Sequence, residues 1–507
     1  MSADAEMTTA LMVAAPAASP APPSARTAVM WAYALTLGRF AISTGVMFVM
    51  AALLQPSAYG VMALAAVWVT FAEGLAQHGP CQAVVQREVV TDEHLNAAFW
   101  STFTISGAFA AVFAACAPFW AVVNGSHQLV YVCWAMAPAI VLNSLVAIPD
   151  TILRRALRFR SLSIRVVIAG AISGVAGITT ALVGWGVWAL VVQQLTLAVA
   201  SLVTVWAIVP WRPRLAMSWP AFRDIRRFSV QSISEYLALF VSTRTDALVL
   251  GAFFGAATIG LYRFAARISD TVIGVAAGGL GEVSLPHLSR YSGDKRAFTE
   301  RLGQMVHAAA VFTVPLFGVL APCSAHLLAV VGPQWTPATP VLWTLCVSGP
   351  FGALSSVLGP AVQAAGRPGA SALLGWVKAI VSVGALTTVG AVFAGAGTQA
   401  QIVVVAVTFC AIHVLAVTAA VVVTIGLVLR LPTGRVVRPM LPSVAAAAAA
   451  AIAGFVVQPL VSGLAPFAAL VVTGTVAALA GGAALLLLDR HVSAVVARPV
   501  RRALHRA

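Results

Sequence analysis

The chain has 507 residues, 60% apolar and 9% charged, with a mean hydropathy of +0.95 and a net charge of +15. A soluble protein carries charge on about a quarter of its residues, so an ordinary globular enzyme and a disordered chain are excluded. All but five of the 30 basic residues lie between apolar runs and they form no single patch, which excludes nucleic acid as a partner and points to loops beside anionic lipid headgroups.

Residues 1–27 read as a disordered cytoplasmic tail. Its first 25 positions are rich in Ala, Pro and Ser and hold no Lys or Arg, so the basic region of a secretory signal is missing. Fourteen apolar spans are predicted after it, each able to cross a ~30 Å hydrocarbon core. Their limits are 28–53, 57–79, 95–122, 128–149, 164–184, 186–208, 228–253, 258–287, 303–331, 338–364, 369–394, 401–429, 440–460 and 464–488. The expected fold is an all-α polytopic membrane protein with two pseudo-symmetric six-helix lobes and two C-terminal helices. The N-lobe takes 28–210 and the C-lobe 211–430, followed by spans thirteen and fourteen in 431–488 and a basic cytoplasmic tail over 489–507.

Alternate breaks between spans differ in charge. One set, with both ends of the chain, holds all but five of the 30 cations, among them Arg87, Arg154, Arg165, Arg226, Arg290 and Arg435. The other set, near Gln55, Asn124, Gly184, Gly255, Gly332, Gly397 and Ser462, holds none. The positive-inside rule then places both termini in the cytoplasm. The uncharged breaks are too short for an external catalytic loop. Before span seven, Phe222, Ile225 and Phe228 share one helical face with cations on the rest, which predicts a short interfacial helix. Trp31, Trp120, Trp185, Trp211 and Trp335 fall near span ends, as an interfacial aromatic belt predicts. The six cysteines are scattered and read as small apolar residues.

Two segments 200 residues apart match in pattern. Leu53-Leu54-Gln55-Pro56-Ser57-Ala58-Tyr59-Gly60 and Phe253-Phe254-Gly255-Ala256-Ala257-Thr258-Ile259-Gly260 each set an apolar pair before a small-residue turn and a glycine. A weaker match pairs the segments after spans four and ten. Six spans separate the mates, so the repeat is parallel, with its axis along the membrane normal, as in alternating-access transporters.

The five remaining cations, Arg39, Arg244, Arg263, Arg267 and Lys378, lie within spans. Each costs at least about 2.5–3.5 kcal/mol at the bilayer centre unless it meets a partner or a wet cavity. One reading is a cationic cavity between the lobes that binds a phosphate-bearing substrate, since guanidinium forks bond two oxygens at once. The other is a set of structural ion pairs, such as Arg267 with Asp270, or snorkelling side chains. Among the buried acids, Glu235, Asp246 and Asp270 are candidates for a coupling H+ or Na+, while Glu73 and Glu282 lie nearer the cytoplasmic ends, where simple solvation explains them. His287 and His413 read as helix-end or packed histidines. No H-E-x-x-H, G-x-S-x-G or Walker-type motif occurs, so no catalytic residue, resident metal or cofactor is expected and the chain is not read as an enzyme.

Several segments in order resemble the polysaccharide-transporter family of lipid-linked oligosaccharide flippases, within the multidrug/oligosaccharidyl-lipid/polysaccharide superfamily. They are Leu37-Gly38-Arg39-Phe40, Leu54-Gln55-Pro56-Ser57-Ala58-Tyr59-Gly60, Gly184-Trp185-Gly186-Val187-Trp188, Asp246-Ala247-Leu248-Val249-Leu250-Gly251, Leu285-Pro286-His287-Leu288-Ser289-Arg290 and Gly332-Pro333-Gln334-Trp335. The resemblance runs from about residue 28 to 370. It implies a flippase that moves undecaprenyl-pyrophosphate-linked oligosaccharide units across the bacterial cytoplasmic membrane for exopolysaccharide, capsule or lipopolysaccharide assembly. It also implies a polymerase and a chain-length regulator as partners, alongside membrane lipids. The competing readings are a multidrug/cation antiporter of the same superfamily, which the deep cations disfavour, and a membrane polysaccharide polymerase or ligase, which the short external breaks disfavour.

Overall fold

The structure, a computed structural model, describes residues 41–87, 89–156, 158–215, 218–366, 368–422, 426, 433–489 and 492–494. All regular structure among them is helical. The helices are α1 (Ala41–Leu53), α2 (Pro56–Ala76), α3 (Gln82–Gln86), α4 (Asp92–Val123), α5 (Gln128–Arg155), α6 (Phe159–Leu182) and α7 (Val187–Ile208). They continue as α8 (Trp219–Phe253), α9 (Ala256–Ser289), α10 (Lys295–Val331), α11 (Thr339–Ala364), α12 (Pro368–Phe393), α13 (Thr398–Val421), α14 (Thr433–Val437), α15 (Leu441–Val461) and α16 (Pro466–Leu488). Among the described residues, 12 helical spans are long and apolar enough to cross a membrane. They match predicted spans two to six and eight to fourteen. The first half of span one, with the tail before it, lies outside the described residues, and span seven is the second part of α8.

Local chemistry sets the helix ends. Thr91 caps α4: its hydroxyl accepts from the His94 backbone N–H, and its own N–H donates to His94 Nδ1 at 3.3 Å. Asp294 caps α10 by accepting from the Arg296 and Ala297 amides. The α6–α7 turn needs positive φ at Gly184 (86°) and Gly186 (58°), a conformation glycine adopts without a Cβ penalty.

In lipid, apolar burial gives little drive for helix association, so small residues that let backbones approach carry the packing. Within the first half, α2, α5 and α7 pack together, with α4 on α5 and α6 on α7. Within the second, α11 packs between α9, α10 and α13. The α15–α16 pair sits on α10 through small-residue contacts: a Cβ on Gly318 would meet the Ala447 backbone, and one on Gly454 would meet Pro322. His307 of α10 hydrogen-bonds the Pro439 carbonyl at 2.8 Å, and its Nε2 lies 3.1 Å from the Asp489 carboxylate, so it touches both ends of that pair. Large apolar side chains such as Val175, Val203, Leu415 and Ile452 point outward, the pattern of a surface solvated by acyl chains.

The halves meet along α2 and α9. A Cβ on Gly60 would lie 1.7 Å from the Ala256 carbonyl oxygen, and one on Gly260 would lie 1.8 Å from the Pro56 carbonyl oxygen. Pro56 and Ala256, like Gly60 and Gly260, are mates in the 200-residue repeat. The contact is therefore reciprocal, as a pseudo-two-fold axis between the halves requires.

Two expectations are corrected. The predicted interfacial helix is no separate element: residues from Trp219 onward are the first turns of the 35-residue α8. Its apolar face meets protein, with Ala221 and Ile225 buried against Val84, Ala97 and Phe99 and with Phe222 and Phe228 at the margin. An amphipathic pattern satisfies a protein groove as well as a headgroup layer. Trp335 is not in an exposed aromatic belt either. It is fully buried, and its indole donates to the Ala51 carbonyl at 2.7 Å, across the halves.

Candidate functional site

A cavity of about 660 Å³ lies between the halves. The first half contributes α1, α2, α6 and α7, with Met62 and Ala63 on one wall and Gln193 and Gln194 on another. The second half contributes Arg244 from α8 and Arg263, Arg267 and Asp270 from α9. Residues 263 and 267 are one helical turn apart, so both guanidinium groups leave the same face of α9. Three guanidinium groups and one carboxylate in a space of this size form an anion-attracting, water-accommodating site.

The cavity is capped at both ends. At the arginine-poor end, Gly60 and Gly260 bring α2 and α9 into backbone contact. Tyr59 and Phe264 close on Trp335 there, with ring centroids 5.2 and 4.2 Å away. Toward the arginine-rich end, Tyr236 of α8 inserts against α2 at Gly74 and donates to the Thr70 carbonyl at 3.1 Å. Phe71 and Phe240 pack beside it, centroids 4.7 Å apart. Asp224 of α8 accepts from Arg87 at 3.3 Å and lies 3.6 Å from His94 Nε2. The two halves are thus in contact at both ends of the cavity, through α2 and α9 at one and through α2 and α8 at the other.

Of the other site residues named from sequence, Lys378 is the one whose side chain is described. Arg39 lies outside the described residues. Glu235 and Asp246 belong to α8, and their side chains, like that of Glu282 in α9, are outside what is described. Lys378 does not line the cavity with the arginines: its Nζ lies 3.3 Å from His413 Nδ1, between α12 and α13.

A second polar cavity, of about 310 Å³, lies within the first half. In its wall the Arg165 guanidinium meets the Asp150 carboxylate at 2.6 Å, with side chains 10% and 15% exposed. From the sequence Arg165 counts as a loop cation, and Asp150 is not among the acids singled out. The pair is 15 residues apart across a helix connection, so no helical periodicity links it. Asp150 lies one residue past predicted span four and Arg165 at the start of predicted span five, and both belong to helices, α5 and α6, that run beyond those limits.

The family model described as "Polysaccharide biosynthesis protein" matches residues 49–340. A relative, the succinoglycan biosynthesis transport protein ExoT of Rhizobium meliloti (strain 1021), is 24% identical over 362 residues, 71% of this chain and 73% of the relative. The teichuronic acid biosynthesis protein TuaB of Bacillus subtilis (strain 168) is 22% identical over 301 residues, 59% of this chain and 62% of that protein. Among solved structures, the lipid II flippase MurJ in an inward closed conformation aligns with a TM-score of 0.69 at 14% identity, covering 93% of this chain and 99% of that one. An inward-facing multidrug resistance transporter of the MATE family aligns at 0.53 with 13% identity, covering 75% and 93%. Both structural likenesses are likenesses of fold.

Proposed function

The chain belongs to the polysaccharide biosynthesis protein family, and we propose that it is a flippase moving undecaprenyl-pyrophosphate-linked oligosaccharide repeat units from the inner to the outer leaflet of a bacterial cytoplasmic membrane. The observation that carries this reading is the cavity between the halves, with Arg244, Arg263 and Arg267 on one wall and contacts between the halves at both ends. A pyrophosphate cannot enter hydrocarbon unaided. Paired guanidinium forks supply charge-assisted hydrogen bonds to its oxygens while the prenyl tail stays in lipid. Rocking of the halves about the α2–α9 contact then exposes the cavity to one side at a time. Relatives named for succinoglycan transport and teichuronic acid biosynthesis support a polysaccharide cargo.

The arginine-rich ends of the helices face the cytoplasm in this reading, with both termini on that side. Asp270, in the same cavity, and Glu235 and Asp246 of α8 are the proposed groups for a coupling H+ or Na+. A polymerase and a chain-length regulator act next to it on the outer face. A drug/cation antiporter fits less well, because three guanidinium groups repel a cationic ligand. In a deletion strain, lipid-linked repeat units should collect on the inner leaflet. Units reaching the outer leaflet at the normal rate would refute the flippase reading.

A further inference from the structure

The second cavity, within the first half, holds a carboxylate that the transport path does not use. Glu73 sits in the last turns of α2 and reaches α5, where Asn143 Nδ2 donates to its Oε1. Among the described residues no Lys or Arg forms an ion pair with it. The neighbouring acid, Asp150, is by contrast held by Arg165. The titratable and charged groups facing this space are His78 and Cys81 from the turn after α2, Asp150 and Arg154 from α5, and Arg165 from α6. To the same space α3, α4 and α7 bring only uncharged groups. The Tyr236 hydroxyl of α8 lies against the adjacent face of α2, and the Glu235 side chain beside it is outside the described residues.

The turn that carries Glu73 is also the turn that grips the second half. Thr70 and Gly74 of α2 and His78 of the turn that follows are spaced by four and present one face to Tyr236. Thr70 accepts the tyrosine hydroxyl, Gly74 leaves room for its ring, and His78 stacks on it with centroids 4.9 Å apart at 15°. Immediately beyond, α2 passes into a π-helical turn, Gln77–Cys81, where Gly79 leaves helical geometry (φ −86°, ψ −112°) and Pro80 follows. Such turns are where helices bend. One side of this short stretch thus holds Glu73 against α5, and the adjacent side holds the closure toward the arginine-rich end.

We propose that Glu73 is a proton-binding site, and that its charge state sets the bend of α2 and so the grip on Tyr236 that closes the cavity at the arginine-rich end. A proton from the aqueous phase adds to a carboxylate oxygen, and the hydrogen bond with Asn143 changes from amide–carboxylate to amide–carboxylic acid. The ligand is a proton and not a metal ion. Arg154 and Arg165 line the same space and repel a further cation, and the described residues hold no group of three or more His, Cys, Asp or Glu suited to a metal. A proton needs no such cage. The buried Arg165 Nε and Asp150 Oδ1, which lack protein partners, leave polar atoms for water to reach Glu73 through. The coupling to transport rests on the flippase reading; the proton site itself does not.

The test uses the full-length protein reconstituted in liposomes without substrate, by infrared difference spectroscopy between acidic and neutral buffer. A carboxylic-acid C=O band is expected in the unmodified protein, with one component that Asp150→Asn keeps and Glu73→Gln loses. Persistence of the whole band in Glu73→Gln overturns the proposal. If Glu73→Gln does not fold, Asn143→Leu serves: it should change the pH at which the band appears, and an unchanged pH overturns the assignment. In cells, Glu73→Gln should lose polysaccharide export and Glu73→Asp should retain it; normal export by Glu73→Gln overturns the coupling. If the deletion strain flips its lipid-linked units normally, the flippase reading fails, while the infrared result still decides the proton site.

Discussion

Gly60→Ala is the sharpest probe of how the halves close. The new Cβ would lie 1.7 Å from the Ala256 carbonyl oxygen and 2.5 Å from its carbon, both backbone atoms that cannot swing aside. An ordinary carbon–oxygen contact is about 3.3 Å, so α2 and α9 must part by about 1.6 Å at this level. Overpacking of this kind costs about 1–3 kcal/mol. Alanine is itself a better helix former than glycine by about 1 kcal/mol, so α2 alone is not weakened. The penalty exists only while the arginine-poor end is shut. The equilibrium therefore moves toward the form open at that end, by about 5–150-fold for 1–3 kcal/mol. The assay is labelling of Ser43→Cys, a cavity-lining position, in a cysteine-free background, with a membrane-impermeant maleimide added outside intact cells. Labelling should accelerate within that range. Because the contact is reciprocal, Gly260→Ala, whose Cβ would lie 1.8 Å from the Pro56 carbonyl oxygen, should accelerate it similarly. A folded, membrane-inserted Gly60→Ala protein that labels no faster than its parent would refute the gate. A response from only one of the two glycines would refute the pseudo-two-fold reading.

Arg263→Gln and Arg267→Gln should each slow delivery of repeat units to the outer leaflet about ten-fold or more, since each removes a charge-assisted hydrogen bond of about 1.5–3 kcal/mol. Lys378→Gln, outside the cavity, should act more weakly in the same inner-leaflet accumulation assay, and an equal effect would count against the cavity as the binding site. Trp335→Phe deletes the indole donor to Ala51 but keeps an aromatic ring. A loss of about 1 kcal/mol should raise Ser43→Cys labelling about five-fold, and unaltered labelling would show that the bond does not hold the gate. Arg165→Met leaves the Asp150 carboxylate buried and unpaired, so thermal unfolding in detergent should report a loss of about 3–5 kcal/mol. Adding Asp150→Asn should recover most of it, and a double variant no more stable than the single one would show that the ion pair is not the cause.

The helices were legible because lipid imposes a coarse rule: long apolar runs, with arginines gathered at alternate ends. The positions of Arg244, Arg263, Arg267 and Asp270 within spans were legible for the same reason, and the four line one cavity. What sequence could not separate were surfaces with equal composition and different neighbours. The face of Phe222, Ile225 and Phe228 has the pattern of a headgroup-layer helix, yet it packs on α3 and α4. Trp335 sits at a span end as a lipid-facing tryptophan would, yet it is fully buried under a cross-half hydrogen bond. Lys378 lies at mid-span like the arginines, but the face of α12 that carries it turns to His413. The Asp150–Arg165 pair escaped because a cation near the start of a span is indistinguishable from a loop cation until the helix is placed in depth.

The repeat is symmetric where the halves touch and asymmetric where they enclose space. At the contact, Pro56 and Gly60 are answered by Ala256 and Gly260 in equivalent roles. One and two turns deeper, the first-half mates of Arg263 and Arg267 are Ala63 and Val67, and that of Asp270 is Thr70. Duplicated backbone geometry therefore supplies a hinge that treats both halves alike, while among the described residues the charge that lines the cavity belongs to the second half. An anion bound there travels with α8 and α9, and the first half works against it as a comparatively uncharged wall of Met62, Ala63, Gln193 and Gln194. Such a division suits a lipid-linked cargo. A phosphate gripped equally from both sides would pin the halves together and oppose the opening that releases it, whereas one held by a single wall leaves them free to part.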